Sequence, residues 1–162
     1  MKCKSGNRGP KMNKAFSLVE VLIVVAILGI LAAIVIPQFQ SNTQQAREAA
    51  AKDNLRILRQ QIEFYAARHG GIPPGYPNND PSMSPSNKPF WDQMIKNGNY
   101  LSKTPVNPFN GKTVIKMVYN DEDFPTEPLV TSLYGWIYQP ATKTIKLNWP
   151  GTDSEGIAYF DY

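Results

Sequence analysis

Residue types that support catalysis or metal binding are scarce in this sequence of 162 residues. It contains one cysteine, Cys3, and one histidine, His69. Zinc and iron–sulfur centres need several such ligands, and a single cysteine forms no disulfide within its own chain. His69 ends a helical pattern and precedes a glycine pair, so we interpret it as a helix-end residue and not as a catalyst. Without a convergent acid–base constellation, an enzyme is the last of the possible functions.

The acidic residues form two short clusters, Asp121-Glu122-Asp123 and Asp153-Ser154-Glu155. Calcium binds oxygen ligands at alternating positions of a loop, which makes Asp153 and Glu155 weak calcium candidates. A solvated turn is the competing interpretation. We expect no other metal or cofactor.

Positive charge is confined to the start of the chain. The formal net charge is +4, but five cations and no acid fall within the first fifteen residues: Lys2, Lys4, Arg8, Lys11 and Lys14. From residue 16 onward, 12 basic residues face 13 acidic ones. The basic character therefore belongs to a terminus and not to a folded surface, and nucleic acid is not an expected partner.

An uninterrupted apolar segment, residues 21–36, follows the basic stretch. As a helix it would be about 24 Å long, and a start at Phe16 lengthens it to about 31 Å, the thickness of a bilayer core. The longer segment includes Glu20, whose carboxylate is costly in hydrocarbon. The basic flank predicts a cytoplasmic N-terminus. A cleaved signal peptide, a plain membrane anchor and a buried core helix are the alternatives.

The residues Lys14-Ala15-Phe16-Ser17-Leu18-Val19-Glu20 resemble the processing site of type IV pilins and of type II secretion pseudopilins. The resemblance implies that residues 1–15 are a basic leader, which a prepilin peptidase removes between Ala15 and Phe16. It also implies N-methylation of the new terminal residue, Phe16. Ala15 departs from the glycine that is usual before the cut. Both Met1 and Met12 are compatible with translation of such a leader.

The same resemblance assigns subunit-assembly roles to Phe16 and Glu20 and a helix-loosening role to Gly29 and Pro37. Cleavage leaves an α-amine on Phe16, and Glu20 of a neighbouring subunit would neutralise it among packed apolar helices. Such a pair fixes axial register, because a slip leaves both charges unpaired. Gly29 and Pro37 fall where the family carries a helix-loosening glycine and proline, and Pro37 is expected to bend the helix.

Beyond Pro37 the sequence predicts an amphipathic helix with one apolar stripe, formed by Ala51, Leu55, Leu58, Ile62 and Tyr65. A short helix is expected within 90–101, and strands at 113–119, 135–138, 144–149 and 158–162. The expected fold is α+β: a long N-terminal helix, transmembrane and then periplasmic, packed on a small C-terminal antiparallel β-sheet, as in pilins. Its parts are the leader 1–15, the transmembrane half 16–36, the amphipathic half 37–69 and the globular region 70–162.

The resemblance implies a non-enzymatic structural subunit of a type II secretion pseudopilus. It would wait in the inner membrane as a single-span protein with its C-terminal region in the periplasm, and then enter a filament. Expected partners are further copies of the chain, the prepilin peptidase, the assembly platform protein and its ATPase, minor pseudopilins and membrane lipid. A type IV pilin for adhesion, motility or DNA uptake is the alternative, followed by a membrane-anchored periplasmic binding module.

Two features bear on the choice between pseudopilin and pilin. Many surface pilins close their C-terminal loop with a disulfide, whereas the mature chain expected here contains no cysteine, which favours a pseudopilin. Major pseudopilins of type II secretion bind calcium in a C-terminal loop, and Asp153 and Glu155 lie in a comparable region.

Overall fold

A computed structural model describes residues 17–96, 100–129 and 133–162. The chain divides into two compact units, Met1–Asn42 and Thr43–Tyr162. The predicted leader and the residues at the predicted cut, Ala15 and Phe16, lie outside the described residues.

The first unit contains the beginning of helix α1, which spans Leu18–Arg68. Its side chains from Leu18 to Asn42 are all exposed, and this apolar part is long enough to cross a membrane. The helix is assigned without interruption through Gly29 and Pro37. Pro37 has no N–H to donate, so the carbonyl of Ala33 loses its helical partner. The apolar segment is thus a continuous helix.

The second unit begins with the amphipathic part of α1, and its predicted apolar stripe is confirmed. All five stripe residues, Ala51, Leu55, Leu58, Ile62 and Tyr65, are buried in the main hydrophobic cluster. Spacings of three and four residues place them on one face of the helix. The helix ends one residue before His69, and Gly70 and Gly71 follow with φ of 65° and 89°.

A three-stranded sheet packs on this stripe, with β1 at Ile115–Met117, β2 at Trp136–Gln139 and β3 at Thr144–Leu147. The strand order is β1-β2-β3. The β2–β3 pair is an antiparallel hairpin, as predicted, but β1 pairs with β2 in parallel, so the expectation of a fully antiparallel sheet is wrong. Eighteen residues connect β1 to β2, which is long enough for the crossover that parallel pairing requires.

Central strand β2 is buried on both faces. Trp136 and Tyr138 join the main cluster, whereas Ile137 joins a second cluster with Val118 and Phe160. Successive side chains of a strand point to opposite faces, so this strand separates the two clusters. The α+β fold class predicted from the sequence is therefore confirmed, with a mixed sheet.

Two local predictions differ from the structure. The short helix expected within 90–101 is an α-helix at Asn87–Trp91, here α2, followed by a π-helical turn at Asp92–Lys96. The strand expected at 158–162 is wrong: Tyr159–Asp161 forms a 3₁₀ turn, and only Ala158 makes a bridge, with Thr152. A 3₁₀ turn places residues three apart on one side, which brings the rings of Tyr159 and Tyr162 to 5.5 Å.

Candidate functional site

Glu20 is the one charged residue between Phe16 and Arg47, and it lies in the first turn of α1. Its backbone N–H donates to the Ser17 carbonyl at 3.1 Å. The side chains around it, Leu18, Val19 and Val21, are apolar and exposed. Among the residues that the structure describes, no cation lies within 4 Å of its carboxylate. The helix N-terminus favours a negative charge there, but only modestly. An unpaired carboxylate at this position would be costly in hydrocarbon.

Gly29 lies nine residues further along the same helix. A Cβ built on it meets no atom within 4 Å, so no contact inside the described chain requires a glycine. Helix propensity disfavours glycine by about 1 kcal/mol and proline by about 3 kcal/mol relative to alanine. Gly29 and Pro37 therefore both weaken this helix, and no contact within the described chain explains the glycine.

A second cluster of polar groups lies where the C-terminal segment meets α1. Its centre is Asp153, whose side chain is 2% exposed. One carboxylate oxygen, Oδ1, accepts the backbone N–H groups of Glu155 at 3.0 Å and of Ile157 at 2.9 Å. The other, Oδ2, accepts the Tyr162 hydroxyl at 2.8 Å and Lys52 Nζ at 3.2 Å. Both oxygens thus receive two donors each.

These contacts set the protonation of the cluster. Burial opposes ionisation of Asp153, but the hydrogen bonds from Tyr162, Ile157, Lys52 and Glu155 outweigh it and lower its pKa to about 2. Burial and the nearby Asp153 carboxylate raise the pKa of the Tyr162 hydroxyl. Asp153 is therefore a carboxylate and Tyr162 a neutral donor at ordinary pH.

A neighbouring contact set involves Glu48, one helical turn before Lys52. Its carboxylate Oε1 accepts the Tyr159 hydroxyl at 2.8 Å and Gln44 Nε2 at 3.3 Å. Glu48 is 8% exposed. Two contacts therefore attach the C-terminal segment to α1: the Tyr159 hydroxyl with Glu48, and Asp153 with Lys52.

The residues present do not fit a calcium ion at Asp153 and Glu155. Glu155 contributes its backbone N–H to the Asp153 carboxylate and is itself exposed, so the two acids do not converge. In the described ranges no group of three or more His, Cys, Asp or Glu side chains is placed to hold a metal. An ammonium, Lys52 Nζ, already contacts the buried carboxylate, and like charges repel.

His69 follows the end of α1, as the sequence predicted. Its ring nitrogen Nδ1 lies 2.9 Å from the Tyr65 carbonyl oxygen, and its ring stacks on that of Tyr65 with centroids 3.9 Å apart.

The sequence did not identify four residues of the contacts around Asp153 and Glu48, namely Lys52, Glu48, Tyr159 and Tyr162. Glu48 and Lys52 are four residues apart, which by itself indicates an ordinary exposed helix pair.

A known sequence motif matches the N-terminal region, and known proteins match more than half of the chain. Residues 10–36 match the prokaryotic N-terminal methylation motif. The type II secretion system core protein G of Pseudomonas aeruginosa is 33% identical over 103 residues, which is 61% of this chain and 70% of that protein. Its Aeromonas hydrophila counterpart is 26% identical over 61% of this chain and 69% of that protein.

Pilins match a smaller share of the chain. The type IV major pilin protein PilA of Myxococcus xanthus is 50% identical over 46 residues, 28% of this chain and 21% of that protein. No solved structure matches significantly. An exposed apolar helix with one acid in its first turn, joined to an α+β unit and bearing the methylation motif, agrees with these similarities: the chain belongs to the type IV pilin and type II secretion pseudopilin family.

Proposed function

We propose that this chain is a non-enzymatic structural subunit of a type II secretion pseudopilus. The observation that carries the proposal is the exposed apolar part of α1 with Glu20 in its first turn. The similarity to core protein G over most of that protein's length supports a secretion filament in preference to a surface pilus. Apolar side chains in such numbers need lipid or neighbouring helices around them.

Processing and location follow from the same proposal. A prepilin peptidase removes residues 1–15, and Phe16 becomes the N-methylated terminus. Before assembly the chain spans the inner membrane once, with its N-terminus in the cytoplasm and the Thr43–Tyr162 unit in the periplasm. A platform protein and its ATPase then move the chain from lipid into a filament with minor pseudopilins. Mass analysis of the membrane form tests the first step, because an intact N-terminus, or cleavage elsewhere, would refute it.

Glu20 selects the register of assembly in this proposal. The α-amine of Phe16 in one subunit and the Glu20 carboxylate of its neighbour neutralise each other in the apolar filament core. Removing one partner of a buried pair typically costs roughly 3–5 kcal/mol. The pair therefore favours one axial position over slipped positions that leave both charges unpaired.

The test compares Glu20→Gln with Glu63→Gln, a control on the same helix whose exposed carboxylate contacts Lys143. We expect both variants to be processed and inserted, since a lost charge makes the span more apolar. Glu20→Gln should give no sheared filaments and little exoprotein secretion, while Glu63→Gln should match the wild type. Normal filament yield from Glu20→Gln would refute the pairing role.

A type IV pilin is the second candidate, supported by the pilin relatives over a smaller part of the chain. Deleting the gene distinguishes the two functions. Loss of exoprotein from the medium supports the pseudopilus, whereas loss of surface fibres, adhesion, motility or DNA uptake with intact secretion supports the pilus.

A further inference from the structure

The contact between Lys52 and Asp153 joins residues that are 101 positions apart. Both belong to the Thr43–Tyr162 unit. The Asp153 side chain is almost fully buried, whereas that of Lys52 is half exposed. A buried carboxylate needs a compensating positive charge or several hydrogen-bond donors, and this one has both.

We propose that the ammonium of Lys52 supplies the cation of the C-terminal loop, residues 151–157, so that this loop closes on α1 without a metal ion. The family resemblance implies calcium in this region of major pseudopilins, and the donor set of this chain disagrees with that expectation. Lys52 is a positioning residue here, because it acts on the loop through Asp153.

Several oxygen atoms of this loop already accept hydrogen bonds from the protein. Calcium takes six to eight oxygen ligands. In this loop the carbonyls of Gly151, Asp153 and Ile157 accept the N–H groups of Tyr159, Gly156 and Asp153. The Asp153 carboxylate receives donors on both oxygens. A calcium ion would have to displace Lys52 Nζ and the Tyr162 hydroxyl together.

The position of Lys52 Nζ is fixed by a second contact. The ammonium lies 4.3 Å from the centroid of the Tyr162 ring, while the hydroxyl of that ring donates to the same Asp153 oxygen. A cation over an aromatic face is attracted by the ring quadrupole. One tyrosine therefore orients both the cation and the carboxylate, and its own carbonyl accepts a hydrogen bond from Arg59 of α1.

The test measures thermal unfolding of the full chain in detergent micelles, followed by tryptophan fluorescence. All three tryptophans, Trp91, Trp136 and Trp149, lie in the Thr43–Tyr162 unit. Wild type is melted in excess EGTA and in excess calcium chloride at equal ionic strength. We expect midpoints within about 1 °C of each other, because a ligand with no site adds no stability.

Lys52→Met is compared with Lys143→Met, which removes the same charge from an ion pair whose carboxylate, that of Glu63, is exposed. We expect Lys52→Met to lower the midpoint in EGTA by at least about 5 °C and Lys143→Met to change it by much less. In Lys52→Met/Asp153→Asn the carbonyl still accepts the two backbone N–H groups, and the amide donates to the Tyr162 hydroxyl oxygen. This double variant should regain part of the loss.

Two results would overturn the proposal. One is a wild-type midpoint that rises by several degrees in calcium but not in magnesium. The other is a Lys52→Met midpoint equal to that of Lys143→Met. Neither measurement depends on filament assembly, so failure here and failure of the proposed function are distinguishable.

Discussion

Replacing Tyr138 by phenylalanine should stabilise the Thr43–Tyr162 unit. Tyr138 lies on β2 with 0% of its surface exposed, and its hydroxyl has no hydrogen-bond partner among the described residues. Burial raises the pKa of this hydroxyl well above its ordinary value, with smaller contributions from Tyr76 and Glu63. The hydroxyl is therefore neutral, desolvated and unpaired.

The magnitude follows from two opposing effects. A buried hydroxyl without a hydrogen bond costs about 1–3 kcal/mol. Removing one oxygen atom leaves a void of roughly 15 Å³, which costs only about 0.4 kcal/mol. The edge-to-face contact between this ring and that of Phe90, with centroids 5.0 Å apart, does not depend on the hydroxyl and is kept in the variant. Tyr138→Phe should therefore raise the free energy of unfolding by about 1–2 kcal/mol.

Tyr76 provides the matched control for this substitution. It is also buried, but its hydroxyl donates to Asn120 Oδ1 at 2.6 Å. The same chemical change at this position removes a real hydrogen bond and should lower the free energy of unfolding by about 1 kcal/mol. Urea unfolding of the full chain in micelles, followed by tryptophan fluorescence, measures both. A loss of stability in Tyr138→Phe, or the same sign at both positions, would refute the reasoning.

Three further predictions concern other parts of the chain. Gly135→Ala places a Cβ 2.3 Å from the Lys112 carbonyl oxygen and should lower the free energy of unfolding of the Thr43–Tyr162 unit by about 3 kcal/mol, measured with urea. Gly29→Ala adds a Cβ that meets no atom and lies outside that unit, so it should leave the stability of the Thr43–Tyr162 unit unchanged. The Asp153 carboxylate, with a folded pKa of about 2 against an ordinary 3.8, should contribute stability that is complete above the higher value and lost as pH falls towards the lower. Acid titrations should therefore show a shallower loss of stability for Asp153→Asn than for wild type. In the assembled filament residues 29–37 should lose regular helix, and a filament map with unbroken hydrogen bonding there, apart from the bond that Pro37 cannot make, would contradict this.

The sequence by itself determined the features that depend on neighbouring residues. The length of the apolar run predicted a helix that can cross a membrane, and the stripe from Ala51 to Tyr65 predicted the buried face of α1. The hairpin of β2 and β3 was also visible, because a short turn joins two β-rich segments. The motif around Glu20 identified the family, which the methylation motif match and core protein G support.

Only the tertiary structure decided the features that depend on distant residues. Parallel pairing of β1 with β2 depends on where an 18-residue connection returns the chain, and no local pattern encodes that. Residues 158–162 have the composition of a strand, yet Tyr159–Asp161 forms a turn, because the Tyr159 hydroxyl reaches Glu48 on α1 and the Tyr162 hydroxyl reaches Asp153. Lys52 resembles any other helix cation until folding places a buried carboxylate beside it, because a charge acquires its role from the groups that desolvate and pair with it.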